Sequence, residues 1–285
     1  MARTLNITCL KTGGGAYLVD GGRAGHRALG VPSGGPADGV SMRAANHLQQ
    51  QAADTPCLEL TLTGGRWLLA GQGQICLTGV DMNWHLNDQP IATRTVITIS
   101  GDALLTGGSA HNGLRAYLSA RGSWELPRRL GSAESGVPGI PSISPGWMAT
   151  INGTSPISFS TNTDVFRVRV VEVFELAVHP GPEWSLLNGR QQGGLLSEVY
   201  RVSRDSNRQG IRLEAKLVTD IQLPSLISSP VLPGTIQLTP GGPVLLGPDA
   251  QTIGGYPRVL LVTDGMMMAA AFQLPLGGKL RLVLV

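Results

Sequence analysis

Apolar residues occur along this chain in short runs that turn residues separate. Each run has the length of a β-strand rather than of a helix. The clearest runs lie at residues 67–70, 74–77, 96–99, 114–118, 259–263 and 280–285. Residues 166–170 alternate between apolar and polar, and the alternation slips at residues 170–171, which predicts a strand with a β-bulge. Asn87-Asp88 is typical of a hairpin tip.

Two segments show helical spacing instead. Asp38 is a good N-cap, and the apolar residues after it fall on one face of a helix as far as about residue 51. A second, shorter helix is predicted after Pro182, and Gly189 is expected to end it. Neither segment is long enough to build a helical domain, so the helices are predicted to accompany β structure.

The chain divides into two similar halves. Its 39 glycines and 19 prolines predict many turns. Residues 131–160 are rich in Gly, Pro and Ser and show no periodicity, which predicts a linker and a domain boundary between residues 131 and 164. Closed barrels remove exposed strand edges. We therefore predict an all-β fold of two β-barrel domains, residues 1–160 and 161–285, with one short helix each.

Composition excludes several classes of function. The net charge is only +3 and the basic residues are scattered, so nucleic-acid binding is not expected. The three cysteines lack metal-ligand spacing, which predicts buried thiols, no bound metal and a reducing cytoplasm. No signal peptide is apparent at the N-terminus. The uncharged residues 221–248 contain prolines and glycines that a membrane-spanning helix would not tolerate, so no membrane association is expected.

Five clusters combine glycines with polar side chains, a composition that lets the backbone approach a ligand closely. They lie at residues 20–38, 77–81, 205–214, 233–237 and 249–257. Arg208 and Arg212 can clamp a carboxylate through paired hydrogen bonds, or they can pair with Asp205 and Glu214 on a surface hairpin. A P-loop, a nucleophile elbow, a zinc-protease motif and a biotin-attachment site are all absent from the sequence.

Taken together, these clusters resemble the biotin-dependent carboxyltransferase family that contains the C subunit of 5-oxoprolinase, the allophanate-hydrolase subunit 2 class and the sporulation protein KipA. The most specific motif is Gln251-Thr252-x-Gly254-Gly255-Tyr256-Pro257. The other motifs that carry the resemblance are at residues 20–25, 30–38, 45–46, 58–61, 77–81, 113–118, 208–213 and 234–237. They follow the family's order across nearly the whole chain.

The resemblance implies a pair of cyclophilin-like barrels and a hydrolase subunit that is active only in a complex. The implied activity is the ATP-dependent opening of 5-oxoproline to glutamate, together with a KipI-like B subunit and a LamB/YcsF-like A subunit. ATP would then act at the level of the complex. One alternative is a carboxyltransferase subunit that moves a carboxyl group from carboxybiotin, held on a separate carrier, to urea or a related amide. Another is a non-catalytic regulatory partner of a KipI-like kinase inhibitor.

The site is expected in a cleft where motifs from both halves meet. The residues expected to be catalytic are Asp20, His26, Asp249 and Tyr256. The residues expected to bind the substrate are Arg23, Asp38, Asn46, Asp81, Arg208, Arg212, Gln237, Gln251, Thr252, Gly254 and Gly255. For Asp38 alone, a helix cap is the preferred interpretation. Arginines suit a substrate carboxylate, and Gln251, Thr252 and Tyr256 can hydrogen-bond a lactam.

The sequence departs from the family pattern at several polar positions. Val19 stands where the family has Gln, Ser229 where it has Glu, and Gln209 where it has Met. The Gln of a Gly-Gln-Pro turn is also missing at Gly242-Pro243. The loss of polar groups at Val19 and Ser229 is an argument for the non-catalytic alternative, which ranks third, after 5-oxoproline hydrolysis and carboxyl transfer.

Overall fold

The structure, a computed structural model, describes residues 3–153, 172–215 and 226–285. These residues form two compact units. The first contains residues 3–22 and 38–153, and the second contains residues 23–37 together with the described residues from 172 onwards. The expected strand and bulge at residues 166–171 lie outside the described residues, as does the expected boundary at residue 160, which stays a prediction.

The first unit is a half-barrel of eleven strands with one helix, α1 (Gly39–Leu48). The strands are β1 (Arg3–Lys11), β2 (Ala16–Val19), β3 (Cys57–Thr61), β4 (Thr63–Asp81), β5 (His85–Leu86), β6 (Gln89–Pro90), β7 (Val96–Ser100), β8 (Ala103–Ser109), β9 (His111–Ala120), β10 (Ser123–Glu125) and β11 (Met148–Gly153).

The 19-residue strand β4 organises this unit, because both of its halves pair on two sides. Its first half lies between β1 and β8, and its second half lies between β7 and β9. The sequence predicts two short strands here, at residues 67–70 and 74–77. In the structure, the single strand β4 includes both segments. Trp67 and Trp84 are fully buried in the core beneath this strand.

The second unit contains a closed barrel of seven strands in the order β12-β19-β16-β17-β14-β13-β20. Strands β15 and β18 form a separate two-stranded ladder, and two helices accompany them. The elements are β12 (Val173–Pro180), α2 (Gly189–Ser197), β13 (Tyr200–Val202), β14 (Gly210–Glu214), β15 (Ser229–Pro230), β16 (Thr235–Thr239), β17 (Gly242–Leu246), β18 (Ile253–Gly254), β19 (Arg258–Leu261), α3 (Gly265–Gln273) and β20 (Lys279–Leu284).

The expected all-β fold is confirmed, with two corrections to the helices. The short helix expected after Pro182 is present as a 3-10 helix, Trp184–Leu186. Gly189 does not end it but begins a separate helix, α2, because Asn188 caps α2 and forms a capping box with Gln191. Neither α2 nor α3 was predicted, so the second unit has two α-helices besides this 3-10 helix. Asp38 does cap α1: its carboxylate accepts a hydrogen bond from the backbone N–H of Ser41 at 2.9 Å.

The hairpin tip at Asn87 and Asp88 is also confirmed. Both residues have positive φ angles, 49° and 63°, as a two-residue type I′ turn requires. Among the described residues, no helix has the length and apolar character needed to cross a membrane. The described part of the chain also has no cluster of three or more His, Cys, Asp or Glu residues that could hold a metal ion.

Gly107 provides a test of the packing in the first unit. A Cβ atom there would lie 2.5 Å from the ring of Trp84 and 2.6 Å from the Cα of Gly64. We expect Gly107→Ala to lower the free energy of unfolding by about 1–3 kcal/mol, because the added methyl overpacks the contact. The neighbouring Gly108→Ala is the control, since its Cβ would meet its nearest atom, the Met82 carbonyl oxygen, at 3.4 Å. Urea unfolding of both variants with equal midpoints would contradict this interpretation.

Candidate functional site

A cavity of about 380 Å³ lies on the outer face of the barrel in the second unit. Its floor is one row of side chains across three strands, because Val244 of β17 is paired with Arg212 of β14 on one side and Gln237 of β16 on the other. Residues paired in this way point to the same face of a sheet. Their neighbours Ile211 and Leu245 point the other way, into the barrel core.

The loop of residues 250–257 supplies the opposite wall of the cavity through Gln251 and Tyr256. Gln237 holds this loop in place: its Nε2 donates to the Tyr256 carbonyl oxygen at 3.0 Å, and its Oε1 accepts from Gln251 Nε2 at 3.1 Å. Gln237 is only 2% exposed. Its amide therefore positions the loop, while Gln251 and Tyr256 present polar groups to the cavity.

Arg212 is the only charged residue among the described residues that line this cavity. Its side chain is exposed and forms no ion pair with any described residue. The alternative interpretation, in which Arg212 pairs with Asp205 or Glu214 on a surface hairpin, is therefore not seen within the described chain. A guanidinium facing amide and hydroxyl groups can bind a carboxylate through two parallel hydrogen bonds.

Gly254 explains why this loop needs glycine. A Cβ atom there would lie 2.7 Å from Gln237 Nε2, so a side chain would displace the amide that holds the loop. A Cβ on Gly255 would meet the Leu226 carbonyl oxygen at 3.4 Å, which is an ordinary contact. Thr252 is not among the residues lining the cavity, and its carbonyl oxygen accepts from the backbone N–H of Val231.

Beside the cavity, the buried Arg208 forms a two-pronged ion pair with Asp249, whose side chain is 33% exposed. Arg208 Nε and a terminal nitrogen lie 2.7 Å and 2.9 Å from the two carboxylate oxygens of Asp249. The same guanidinium donates to the Gly35 carbonyl oxygen at 2.8 Å. Arg208 is 4% exposed and is not among the residues that line the cavity, whereas Arg212 is exposed and lines it, so the two arginines that were predicted to share a ligand have different surroundings. A catalytic role for Asp249 and a substrate contact for Arg208 stay predictions.

Residues 23–37 belong to the second unit, although strands of the first unit precede and follow them. Arg27 anchors this segment: its guanidinium donates to the carbonyl oxygens of Val231 and Gln251 and to Ser33 Oγ. Burial lowers the pKa of Arg27. This anchor was not predicted, because a partner more than 200 residues away leaves no local signal in the sequence. Of the predicted residues here, Arg23 is buried and His26 is half-buried.

A second two-pronged ion pair, between Arg258 and Glu183, anchors the C-terminal end of the loop of residues 250–257. Arg258 Nε donates to Glu183 Oε2 at 2.8 Å, and a terminal nitrogen donates to Glu183 Oε1 at 2.5 Å. Arg258 also donates to the Pro230 carbonyl oxygen at 2.9 Å. These hydrogen bonds lower the pKa of Glu183 and raise that of Arg258. Like Arg27, this pair was not predicted.

Asp20 lies in the first unit and is 3% exposed. Its carboxylate accepts from Ser132 Oγ at 2.6 Å, from the backbone N–H of Ala133 at 2.8 Å and from that of Gly22 at 2.9 Å. Arg128 lies 3.4 Å from the same carboxylate. The carboxylate thus ties a turn to the segment after β10. A catalytic role for it stays a prediction.

Asp38, Asn46 and Asp81 also have local partners in the first unit. Asp38 accepts from Ser41 twice, and its backbone N–H donates to the Tyr117 hydroxyl at 2.7 Å. Asn46 Nδ2 donates to the carbonyl oxygens of residues 53 and 55 and so closes the loop after α1. Asp81 is exposed, and its carboxylate accepts from the backbone N–H of Asn83.

Two of the positions that depart from the family pattern have different surroundings. Val19 is fully buried and packs with Met42, Cys57 and Tyr117, so it belongs to a small apolar cluster. Gln209 is exposed and lines the cavity beside Arg212. The cavity wall therefore carries an additional amide at this position.

The chain matches the family model for the carboxyltransferase domain, subdomain A and B, over residues 29–284. It belongs to that family. Its relatives include the C subunit of 5-oxoprolinase from Escherichia coli, which is 29% identical over 97% of this chain and 90% of its own. The C subunit of 5-oxoprolinase from Haemophilus influenzae is 26% identical over 93% of this chain and 87% of its own. The urea amidolyase of Lachancea kluyveri is 37% identical, but over 39% of this chain and 6% of its own.

Solved structures share the fold. Protein TTHA0988 superposes with a TM-score of 0.83 and 26% identity, and the match covers 98% of this chain and 55% of that one. The Kluyveromyces lactis urea amidolyase superposes with a TM-score of 0.85 at 24% identity over 98% of this chain and 19% of its own. This chain therefore corresponds to part of each of these longer proteins.

The same substitution should destabilise the protein at Arg208 and leave its stability almost unchanged at Arg212. Arg208→Met leaves the Asp249 carboxylate and the Gly35 carbonyl oxygen without their buried partner, so we expect a loss of about 1–3 kcal/mol in the free energy of unfolding. Arg212→Met removes an exposed cation and should change that free energy by less than about 0.5 kcal/mol. Urea denaturation of the two variants measures both values. Equal destabilisation would contradict the assignment of Arg208 to the fold.

The Glu183–Arg258 pair predicts a component of stability that depends on pH. The pKa of Glu183 in the folded protein lies below its ordinary value of 4.5, so the pair stabilises the fold fully above that pH. The contribution should disappear as the pH falls from 4.5 through the lower, folded-state pKa. The difference in unfolding free energy between wild type and Glu183→Gln, measured across this range, should therefore shrink on acidification. A difference that stays constant would rule out this contribution.

Proposed function

We propose that this chain is the C-type subunit of an ATP-dependent 5-oxoprolinase, in which it acts with an A-type and a B-type partner to hydrolyse 5-oxoproline to glutamate. The observation that carries this proposal is the cavity in which a single exposed arginine faces the loop amides. The match with two 5-oxoprolinase C subunits along nearly their whole length also supports it. We assign the substrate-binding role to the cavity walled by Arg212, Gln251 and Tyr256.

The chemistry of the cavity suits 5-oxoproline. This substrate has one carboxylate and a five-membered lactam, which offers one N–H donor and one C=O acceptor. Arg212 matches the carboxylate. Gln251 Nε2 is used by Gln237, so its Oε1 remains to accept the lactam N–H, and the Tyr256 hydroxyl can donate to the lactam oxygen. Hydrolysis adds water across the C–N bond and releases the amino and carboxyl groups of glutamate.

ATP fits this cavity less well than 5-oxoproline does. A triphosphate needs several cations or a metal ion, whereas Arg212 is the one charged group among the described lining residues. We therefore assign ATP to the complex rather than to this cavity, and we expect a KipI-like B subunit and a LamB/YcsF-like A subunit as partners.

Carboxyl transfer is the second candidate function. It is supported by the 37% identity to the urea amidolyase, which is higher than the 29% identity to the 5-oxoprolinase subunit but extends over only 111 residues. Urea is an amide like the lactam, so Gln251 and Tyr256 could hydrogen-bond either molecule. Biotin would come from a separate carrier in that case. The exposed Arg212 distinguishes the two candidates, because 5-oxoproline carries a carboxylate and urea does not.

The test is co-expression with homologues of the A and B subunits, followed by measurement of 5-oxoproline-dependent ATP hydrolysis. Arg212→Gln should reduce kcat/KM for 5-oxoproline at least about tenfold, since a hydrogen bond to a charged group contributes about 1.5–3 kcal/mol. Arg190→Gln is the matched control, because it removes an exposed arginine on α2 that does not line the cavity.

Two results would contradict the proposal. One is a wild-type complex with no turnover of 5-oxoproline that instead transfers carboxyl groups to urea from a carboxybiotin carrier. The other is an Arg212→Gln complex with wild-type kcat/KM.

Tyr256→Phe, which removes only the hydroxyl, should weaken turnover without preventing assembly of the complex.

A further inference from the structure

The first unit contains a second cavity, of about 480 Å³, that the proposed function does not use. One row of residues crosses four neighbouring strands at its base. Lys11 of β1 is paired with Arg66 of β4, Arg66 with Thr106 of β8, and Thr106 with His85 of β5. All four residues line the cavity.

A β-bulge brings the two cations together. The pairing of β1 with β4 shifts between Cys9 and Lys11, so Leu10 is the extra residue and Lys11 stands opposite Arg66. Bulges commonly re-aim a side chain in this way. Without the bulge, the residue opposite Arg66 would be the apolar Leu10, and the two charges would not face each other.

This arrangement is unfavourable in the absence of a ligand. Like charges directly opposite each other on paired strands destabilise a sheet. Neither Lys11 nor Arg66 forms an ion pair with a described residue, and none of the described residues that line the cavity is acidic. Both side chains are exposed, so water screens part of the repulsion. The cavity nevertheless holds two positive charges that an anion would neutralise.

The remaining groups around the cavity are neutral hydrogen-bonding groups. His85 Nδ1 lies 2.9 Å from the Asn83 carbonyl oxygen, which can only accept, so Nδ1 donates to it and this hydrogen bond fixes the ring at the edge of the cavity. Thr63 Oγ1 accepts from the backbone N–H of Gly14 at 2.7 Å, which leaves its own hydroxyl proton available. Thr106 and Ser109 add two further hydroxyls.

A glycine lets two strands approach closely at the base of the cavity. Gly65 has a φ angle of 72°, and a Cβ atom there would lie 2.2 Å from the Lys11 carbonyl oxygen. The backbone of β4 can approach that of the bulge only because this position has no side chain. The cavity therefore combines two cations with several hydroxyl donors.

We propose that this cavity binds the phosphate group of a small molecule, with Lys11 and Arg66 as its charged ligands. A phosphate dianion matches the two positive charges, and its oxygens accept from guanidinium, ammonium and hydroxyl groups together. A monocarboxylate would leave one of the two charges without compensation. Free phosphate and the phosphate of a larger ligand such as a nucleotide share this chemistry, and the experiment distinguishes the two sources.

Binding of inorganic phosphate to the purified chain tests this proposal, with the melting temperature followed against phosphate concentration at constant ionic strength. We expect a saturable rise in Tm with phosphate and none with chloride. Arg66→Gln and Lys11→Gln should each weaken phosphate binding about tenfold or more. Each should also raise Tm slightly without phosphate, because the repulsion between the two cations is relieved.

Arg3→Gln is the matched control, since it removes an exposed cation from the same strand, outside this cavity. It should bind phosphate as the wild type does. Acetate should bind at least about tenfold more weakly than phosphate, and equal binding of the two would overturn the assignment to phosphate. Adenosine monophosphate tests the source of the phosphate group. Tighter binding than that of inorganic phosphate indicates a nucleotide ligand, and equal binding indicates free phosphate. Wild-type phosphate affinity in Arg66→Gln, or equal losses in Arg3→Gln and Arg66→Gln, would overturn the proposal.

Discussion

Side chains alternate between the two faces of a β-strand. In the second unit, this period of two determines on which face the polar side chains that line the cavity lie. Ile211, Ile236 and Leu245 must face the core of the closed barrel. Their neighbours Arg212 and Gln237 must then face outwards in a single row. A shift of the register by one residue would bury a guanidinium and expose the apolar core. The apolar residues therefore fix the position of the polar ones, and the cavity follows from the packing of the barrel.

Burial of polar groups imposes a second constraint, because each buried group needs a hydrogen-bonding partner. Several polar residues in glycine-rich segments meet this requirement locally. The Asp20 carboxylate joins two segments of the first unit, and Asn46 closes the loop after α1. In the second unit, Arg208 and Asp249 satisfy each other. Residues of this kind hold loops in place, which is also what a site on loops requires.

The sequence predicted local features well and distant pairings poorly. The cap at Asp38 and the turn at Asn87-Asp88 depend on neighbouring residues, and both are present. Arg212, Gln237, Gln251 and Tyr256, whose positions the glycine-rich motifs mark, line one cavity, and their binding role stays a prediction. The ion pair of Arg208 could not be predicted, since its partner lies 41 residues away and other carboxylates are closer in sequence. Helix α3 was missed because its Met- and Ala-rich sequence has no polar face to reveal a helical period.

The different surroundings of Arg208 and Arg212 change how a carboxylate would be recognised. Two arginines on one ligand would provide most of the binding energy through charge alone, with little dependence on the remainder of the ligand. A single guanidinium still orients a carboxylate, because its planar fork can donate to both oxygens. Discrimination must then come from the opposite wall, where Gln251 and Tyr256 lie on a loop that Gln237, Arg27 and Arg258 hold. Hydrogen bonds to a polar group of the ligand discriminate strongly, since a ligand that lacks the group leaves its partners unpaired. In the proposed site, selectivity would therefore depend on the hydrogen bonds that hold this loop rather than on the number of cations.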